Sequence, residues 1–458
     1  MKQIYLFTAS IFLTLIIKAQ NFKLPQYQKT ILSNGLTVYL MEQHEVPLIS
    51  ISAIVPAGAI YDINSAGLAT LTANALMHGT KNFTKKQIDE QLDFLGTGIS
   101  TGASKEFAFL QSKFAAKDAT KVLNIFKEVL LEPTFNTDEF DKEKKRTLIA
   151  LEQAKESPRR VINAYFDKLI YGQHPYGNVT VGTPSAIKNL TAKDCMAFYL
   201  ANYTPNQAAI AIVGDFKTAD MKLALTKLFV GWKKTIAKIN NADIPILPIT
   251  NSKVLLVNKD DAKETTFLIG SQGISRNNPD YVAVDVVNTL FGGRFTSMLN
   301  DALRVNSGLT YGASSRFSTL KNSGGFVIST FTANKTTEPA INMAIDVLNN
   351  LHKNGLNDTM LTSAKNYVKG QFPPRYETAD QLANLLTQMY WYKFDEAFIN
   401  NFEKNVDSLT LAKANEIIAK YFPKNNLQMV LIGKAAEIKT IAAKYGKVTQ
   451  VNIKDDIK

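Results

Sequence analysis

The strongest constraint on this chain is that it carries one structural plan twice. The strand-like segment Ala208–Gly214 ends in a glycine that stands 219 residues before Gly433, which closes the equivalent segment Leu427–Gly433. The same offset relates Leu190-Thr191 to Leu409-Thr410. Each of these pairs opens an amphipathic helix that closes in an aromatic residue, Tyr203 or Phe422. Each half also begins with a strand signal, Gly35–Leu40 and Lys253–Val257. Self-similarity at a fixed period marks a repeated structural unit, and a period this long is a whole domain. Both copies place β-rich segments first and helices later, which predicts an α+β fold of two domains related by internal duplication. The segment from Gly231 to Thr250, with Pro245 and Pro248 among polar residues, reads as a linker. The expected boundaries are therefore 20–230, 231–250 and 251–458.

Within the first half, Leu48–Val55 alternates and is β-branched, the pattern of a strand. It reads either as an edge able to pair with an extended peptide or as an ordinary core strand. Ala66–Met77 has helical periodicity, and Phe107–Lys113 reads as a further strand. Ala119–Leu131 and Asp138–Ala154 read as amphipathic helices, the second capped near Asn136-Thr137.

Composition removes several classes of function. With 45% hydrophobic and 20% charged residues, the chain has the makeup of a globular protein, neither disordered nor collagen-like. Its single cysteine, Cys195, rules out an intramolecular disulfide and a thiolate metal cluster. Four histidines occur, His44, His78, His174 and His352, and no two share a helical turn. A short-spaced histidine metal motif is thereby excluded. The formal charge of +12 does not point to nucleic acid, because the lysines are interspersed with acids, as in Asp141–Arg146. At the N-terminus, Lys2 precedes the apolar run Ile4–Ile17, and Lys18-Ala19 follows it. A membrane span needs about 20 apolar residues, so residues 1–19 read as a secretory signal peptide. The expectation is an exported protein, periplasmic or secreted, without a stable membrane anchor.

Taken in order, Ser33–Val38, Gly67–Thr80, His174–Gly177 with Gly182, Tyr203–Pro205 before Ile212–Asp215, Leu290–Gly293 and Leu303–Tyr311 resemble the insulinase/pitrilysin family of zinc peptidases. That family includes the mitochondrial processing peptidase subunits. Its active members bind zinc through an inverted H-x-x-E-H motif on the first helix, in which two histidines hold the metal and the glutamate acts on its bound water. The resemblance places Thr70 at the first histidine, Ala73 at the glutamate and Asn74 at the second histidine. The third ligand, a glutamate on a later helix, falls at Ala150. Glu152, two residues away, belongs to a different helix face. Thr and Asn are poor replacements for imidazole, and Ala73 cannot take a proton from water. The expectation is no metal and no cofactor in this chain, with His78 a helix C-terminal cap and His174 structural.

The resemblance also implies that an Arg and a Tyr of the second domain line the substrate cleft, here Arg304 and Tyr311. The Tyr would stabilise the developing oxyanion, and the Arg would hold substrate backbone. Read as residues alone, Arg304 also fits a helix end and Tyr311 a packed strand. The resemblance implies that Gly292-Gly293 joins a helix to the next segment and lets backbones approach; it is not a phosphate loop, since no Lys-Ser/Thr follows. The implied function is a zinc-less subunit that pairs with a homologous chain bearing H-x-x-E-H and contributes Arg304 and Tyr311 to that partner's site. The zinc belongs to the partner, and the substrate is a peptide. The alternative is a non-enzymatic peptide-binding or scaffold protein of the same fold.

Overall fold

The computed structural model describes residues 22–234 and 243–457. The expected signal peptide and the centre of the expected linker lie outside the described residues. Two six-stranded sheets form the frame. The first contains β1 (Gln28–Ile31), β2 (Thr37–Glu42), β3 (Leu48–Val55), β4 (Ile99–Ala103), β5 (Ala108–Ala115) and β6 (Ala209–Gly214), in the order β1-β2-β6-β3-β5-β4. The second contains β7 (Lys253–Asn258), β8 (Glu264–Gln272), β9 (Ser314–Thr319), β10 (Gly324–Ala333), β11 (Gln428–Gly433) and β12 (Lys447–Asn452), in the order β12-β7-β11-β8-β10-β9. The duplication is explicit in the pairing. β2 runs parallel to β6 as β7 does to β11, and β3 opposes β6 as β8 opposes β11. The copies differ at one flank, where β1 joins β2 antiparallel and β12 joins β7 parallel.

β3 and β6 are buried along almost their whole length, Ser50 and Ser52 of β3 included, as strands are when both faces of their sheet are covered. β3 lies between β6 and β5, with both its ladders taken. The edge reading of Leu48–Val55 is therefore corrected: it is an interior strand with no room for a peptide.

One face of the first sheet carries α1 (Leu68–Ala75), α2 (Ala119–Leu131) and α3 (Thr137–Lys155). α1 is shorter than its sequence pattern, because Leu76–His78 tightens into a 3-10 turn. α3 starts at Asn136, whose side chain accepts from Glu139 N, satisfying one of the free amides of the first turn. Ile49, Ile51 and Val55 of β3 share this core with Leu71, Val122 and Phe126.

The other face of each sheet is covered from the opposite half. α4 (Pro158–Tyr171) sets Ile162, Phe166 and Ile170 against Val257, Leu268, Val327 and Val430 of the second sheet. α5 (Ala379–Tyr392) sets Leu382, Leu386 and Met389 against Met41, Ile54 and Ala211 of the first. Each such side chain contributes roughly 1.5–3 kcal/mol on burial, so this exchange ties the halves together. Polar contacts add to it: Gln111 Nε2 donates to Asn384 Oδ1 at 2.6 Å, and the Tyr171 hydroxyl donates to Gly324 O at 2.6 Å. At the junction, buried Glu106 accepts from the Tyr176 hydroxyl at 2.5 Å and from Lys321 N at 3.0 Å.

Candidate functional site

The start of α1 is fixed by Asp62 and Gly67. Gly67 has φ 93°, and a Cβ there would come within 2.7 Å of Gly182 Cα, so only glycine lets the helix start this close to the Gly182 loop. Gly67 has no side chain with which to cap the helix. Asp62 substitutes, accepting from Gly67 N at 2.9 Å and Ala69 N at 2.8 Å. Its carboxylate is buried, and that desolvation outweighs the two backbone donors, pushing its pKa up to about 7.

From that start, Thr70 and Asn74 project one turn apart into a cavity of about 330 Å³. Facing them are Thr147, Ala150, Leu151 and Ala154 of α3, residues that recur at the spacing of one helix face. Tyr165 of α4 and the backbone around Val181 close the sides, and Asp455, Asp456 and Ile457 close the end. The Thr70 hydroxyl donates to Thr180 O at 2.7 Å, and Asn74 Nδ2 donates to Glu143 Oε1 at 3.3 Å. Asp456 holds the C-terminal residues in place by accepting from Ser185 N at 3.1 Å. Ala73 does not line this cavity. It is fully buried in the core shared with β3. Glu152 turns to solvent and pairs with Lys155 at 3.1 Å.

The side chains at these three positions do not fit zinc. They comprise one hydroxyl, one amide and a methyl group; Glu143 beside them is engaged by Asn74 and by Arg146 at 3.2 Å, and Asp455 and Asp456 stand at the cavity's end, where Asp456 is engaged by Ser185 N. Among the described residues no group of three or more His, Cys, Asp or Glu side chains is placed to hold a metal ion.

A second cleft, of about 550 Å³, opens on the other half and is lined by Arg304 and Tyr311 together. Gly292 shapes it: a Cβ there would come within 2.4 Å of Ser315 N, so the turn 289–293 lies directly on β9. Arg304, in the turn Asp301–Asn306, stacks over the Phe295 ring at 4.6 Å. It forms no ion pair among the described residues, and the Phe295 ring sets the plane of its guanidinium. Tyr311 lies ahead of β9 and is 83% exposed. The packed-strand reading of Tyr311 is therefore corrected, and its side chain projects into open solvent at the cleft.

Two family models match this chain: "Insulinase (Peptidase family M16)" over residues 37–184 and "Peptidase M16 inactive domain" over residues 189–368. The chain belongs to the insulinase family, M16. An uncharacterized zinc protease YmxG of Bacillus subtilis is 21% identical, matching 74% of this chain and 81% of that one. A Helicobacter pylori protein named non-peptidase homolog YmxG is 22% identical over 85% of this chain and 90% of its own. A solved M16 inactive domain from Pseudomonas fluorescens superposes with a TM-score of 0.83 at 25% identity, covering 89% of this chain and 98% of that one.

This M16 chain is a peptidase-like, inactive member of the family. Thr70, Asn74 and Ala150, the residues that the resemblance sets against the family's zinc ligands, line one cavity, while Ala73 is buried in the core. His174 is structural: its Nδ1 accepts from Tyr176 N at 3.1 Å, and Nε2 faces Ile244 O at 2.9 Å as donor. His78 ends the turn Leu76–His78 that closes α1. It is buried, burial holds its pKa down, and Nδ1 has no hydrogen-bond partner among the described residues. Sequence reasoning missed Glu143, which stands seven residues before Ala150 on the same face of α3. It also missed Arg159 and Arg294, which share the cleft with Arg304.

Proposed function

We propose that this protein is the zinc-less subunit of an exported M16 peptidase and completes the active site of a homologous chain that carries H-x-x-E-H. One observation carries this reading: Arg304 and Tyr311 line a single open cleft with no charged partner among the described residues, while the residues that the resemblance sets at the metal positions are non-ligands. The partner's zinc would supply the activated water. On this chain, the Tyr311 hydroxyl donates to the oxygen that gains charge as water attacks the peptide carbonyl. Arg304, its plane set by Phe295, holds substrate backbone and fixes its approach. Export rests on the apolar segment Ile4–Ile17.

A second reading, a peptide-binding or scaffold protein with no catalytic partner, draws on the same cleft and on the Helicobacter relative's name. Co-expression with an H-x-x-E-H homologue from the same genome separates the two. A stable heterodimer that hydrolyses peptide, where neither chain does so alone, supports the first. A chain that stays single with every such homologue supports the second.

A further inference from the structure

Two arginines in the Tyr311 cleft have no part in the reaction described above. Arg159, in the first turn of α4, lays its guanidinium over the Phe331 ring at 3.6 Å. Arg294 donates Nε to Thr296 O at 3.2 Å and Nη1 to Ser363 Oγ at 3.0 Å, with its guanidinium 5.8 Å from the Tyr367 ring centre. With Arg304 over Phe295, three oriented cations line one cleft. Among the described residues no aspartate or glutamate lines it. The nearest acid recorded against these arginines is Glu264, 3.9 Å from Arg159, with both side chains more than half exposed. A solvated pair at that distance is weak.

Like charges held in one concave surface repel, and a bound anion relieves that repulsion. Stacking sets the guanidinium planes of Arg159 and Arg304, and the bonds from Nε and Nη1 set that of Arg294 while leaving its Nη2 for a carboxylate, a planar geometry that favours arginine over lysine. Phe295 is 66% exposed on the same cleft, beside exposed Tyr311, so apolar surface adjoins the charge. Nucleic acid fits less well, because phosphates recur along a strand and need a continuing basic track, whereas these arginines converge on one cleft.

We infer that the cleft selects acidic peptide segments, with a glutamate or aspartate side chain held by Arg159 and Arg294 and a neighbouring apolar side chain against Phe295. The inference rests on the subunit reading for its meaning, as the substrate class of that same site, but the binding it describes is a property of this chain alone.

Fluorescence anisotropy on the purified chain tests it. The probe is a C-terminally amidated, fluorescein-labelled hexapeptide with two central glutamates flanked by phenylalanines. It is compared with its glutamine counterpart, with that counterpart bearing a free C-terminal carboxylate, and with a short oligothymidylate. The glutamate peptide is expected to bind roughly ten-fold tighter than the glutamine peptide. The Arg159→Gln/Arg294→Gln double variant should abolish the preference, and Arg146→Gln, a surface change outside the cleft, should keep it. Equal affinities, or a preference that survives the double variant, would overturn the inference. A free-acid glutamine peptide binding as tightly as the glutamate peptide would overturn it in favour of a terminal carboxylate, and tighter oligothymidylate binding in favour of nucleic acid. Failure of the subunit reading shows differently, as no heterodimer while the glutamate preference persists.

Discussion

Arg159 and Arg160 are consecutive in the first turn of α4, yet they line different cavities. Arg160 borders the one that holds Thr70, Asn74 and Ala150, and Arg159 the one that holds Arg304 and Tyr311. The cavity of Thr70, Asn74 and Ala150 and the arginine–tyrosine cleft of one chain are thus neighbours without being one cavity. In the proposed subunit reading, Tyr311 would act on a second chain's metal site and not on this chain's own cavity.

The first prediction concerns metal. A hydroxyl already given to Thr180 O and an amide given to Glu143 offer zinc no anionic or imidazole ligand. The purified chain should carry well under about 0.1 zinc per molecule after dialysis against micromolar zinc. Elemental analysis finding close to one zinc per chain would contradict this.

Stability should depend on pH through Asp62. With its folded pKa raised to about 7 from an unfolded value of about 3.9, the folded state keeps a proton that the unfolded chain has released. The contribution is therefore fully present below about pH 4 and declines as pH rises towards 7. Asp62→Asn cannot titrate, so wild type should lose stability relative to the variant across that window, on the order of a few kcal/mol. Denaturation midpoints measured from pH 4 to 8 check it, and parallel curves for the two proteins would refute it.

The exchanged helices should make the two halves unfold together. Leu386 is fully buried where α5 meets the first sheet, and Leu386→Ala should cost about 2–5 kcal/mol. Calorimetry should show one transition moving down as a whole. A split into two transitions, one of them unshifted, would mean that the helix exchange does not couple the halves.

Arg304 should act on binding more than on chemistry. If it grips substrate backbone in ground and transition states alike, Arg304→Ala raises KM of the reconstituted pair while kcat changes less. Arg304→Lys should recover only part of the loss, because an ammonium lacks the two-pronged geometry. Initial-rate kinetics on an assembled pair checks both.

Much of this architecture is legible in the chain because its physics is local. β6 and β11 are nearly unbroken apolar runs, β3 alternates through Ser50 and Ser52, and α2 spans Ala119–Leu131 as its periodicity requires. β4 gives no such signal, since Ile99–Ala103 is a short edge strand with polar residues and a glycine. The exchange of α4 and α5 is invisible for another reason. An amphipathic pattern says that a face is buried, not which sheet buries it. At the site, Thr70, Asn74 and Ala150 are legible only through the family likeness. Arg159 and Arg294 lie far apart in sequence, and no spacing announces that folding brings them into one cleft.

The most direct test of the central claim is kcat for peptide hydrolysis by the reconstituted pair with Tyr311→Phe in this chain. The change removes one hydroxyl and keeps the ring, so a donor used only in the transition state is lost while assembly is preserved. With complex formation verified by size, kcat should fall by roughly 10²–10³ with little change in KM. An unchanged kcat in the assembled variant would contradict the account and leave this chain as a wall of its partner's chamber.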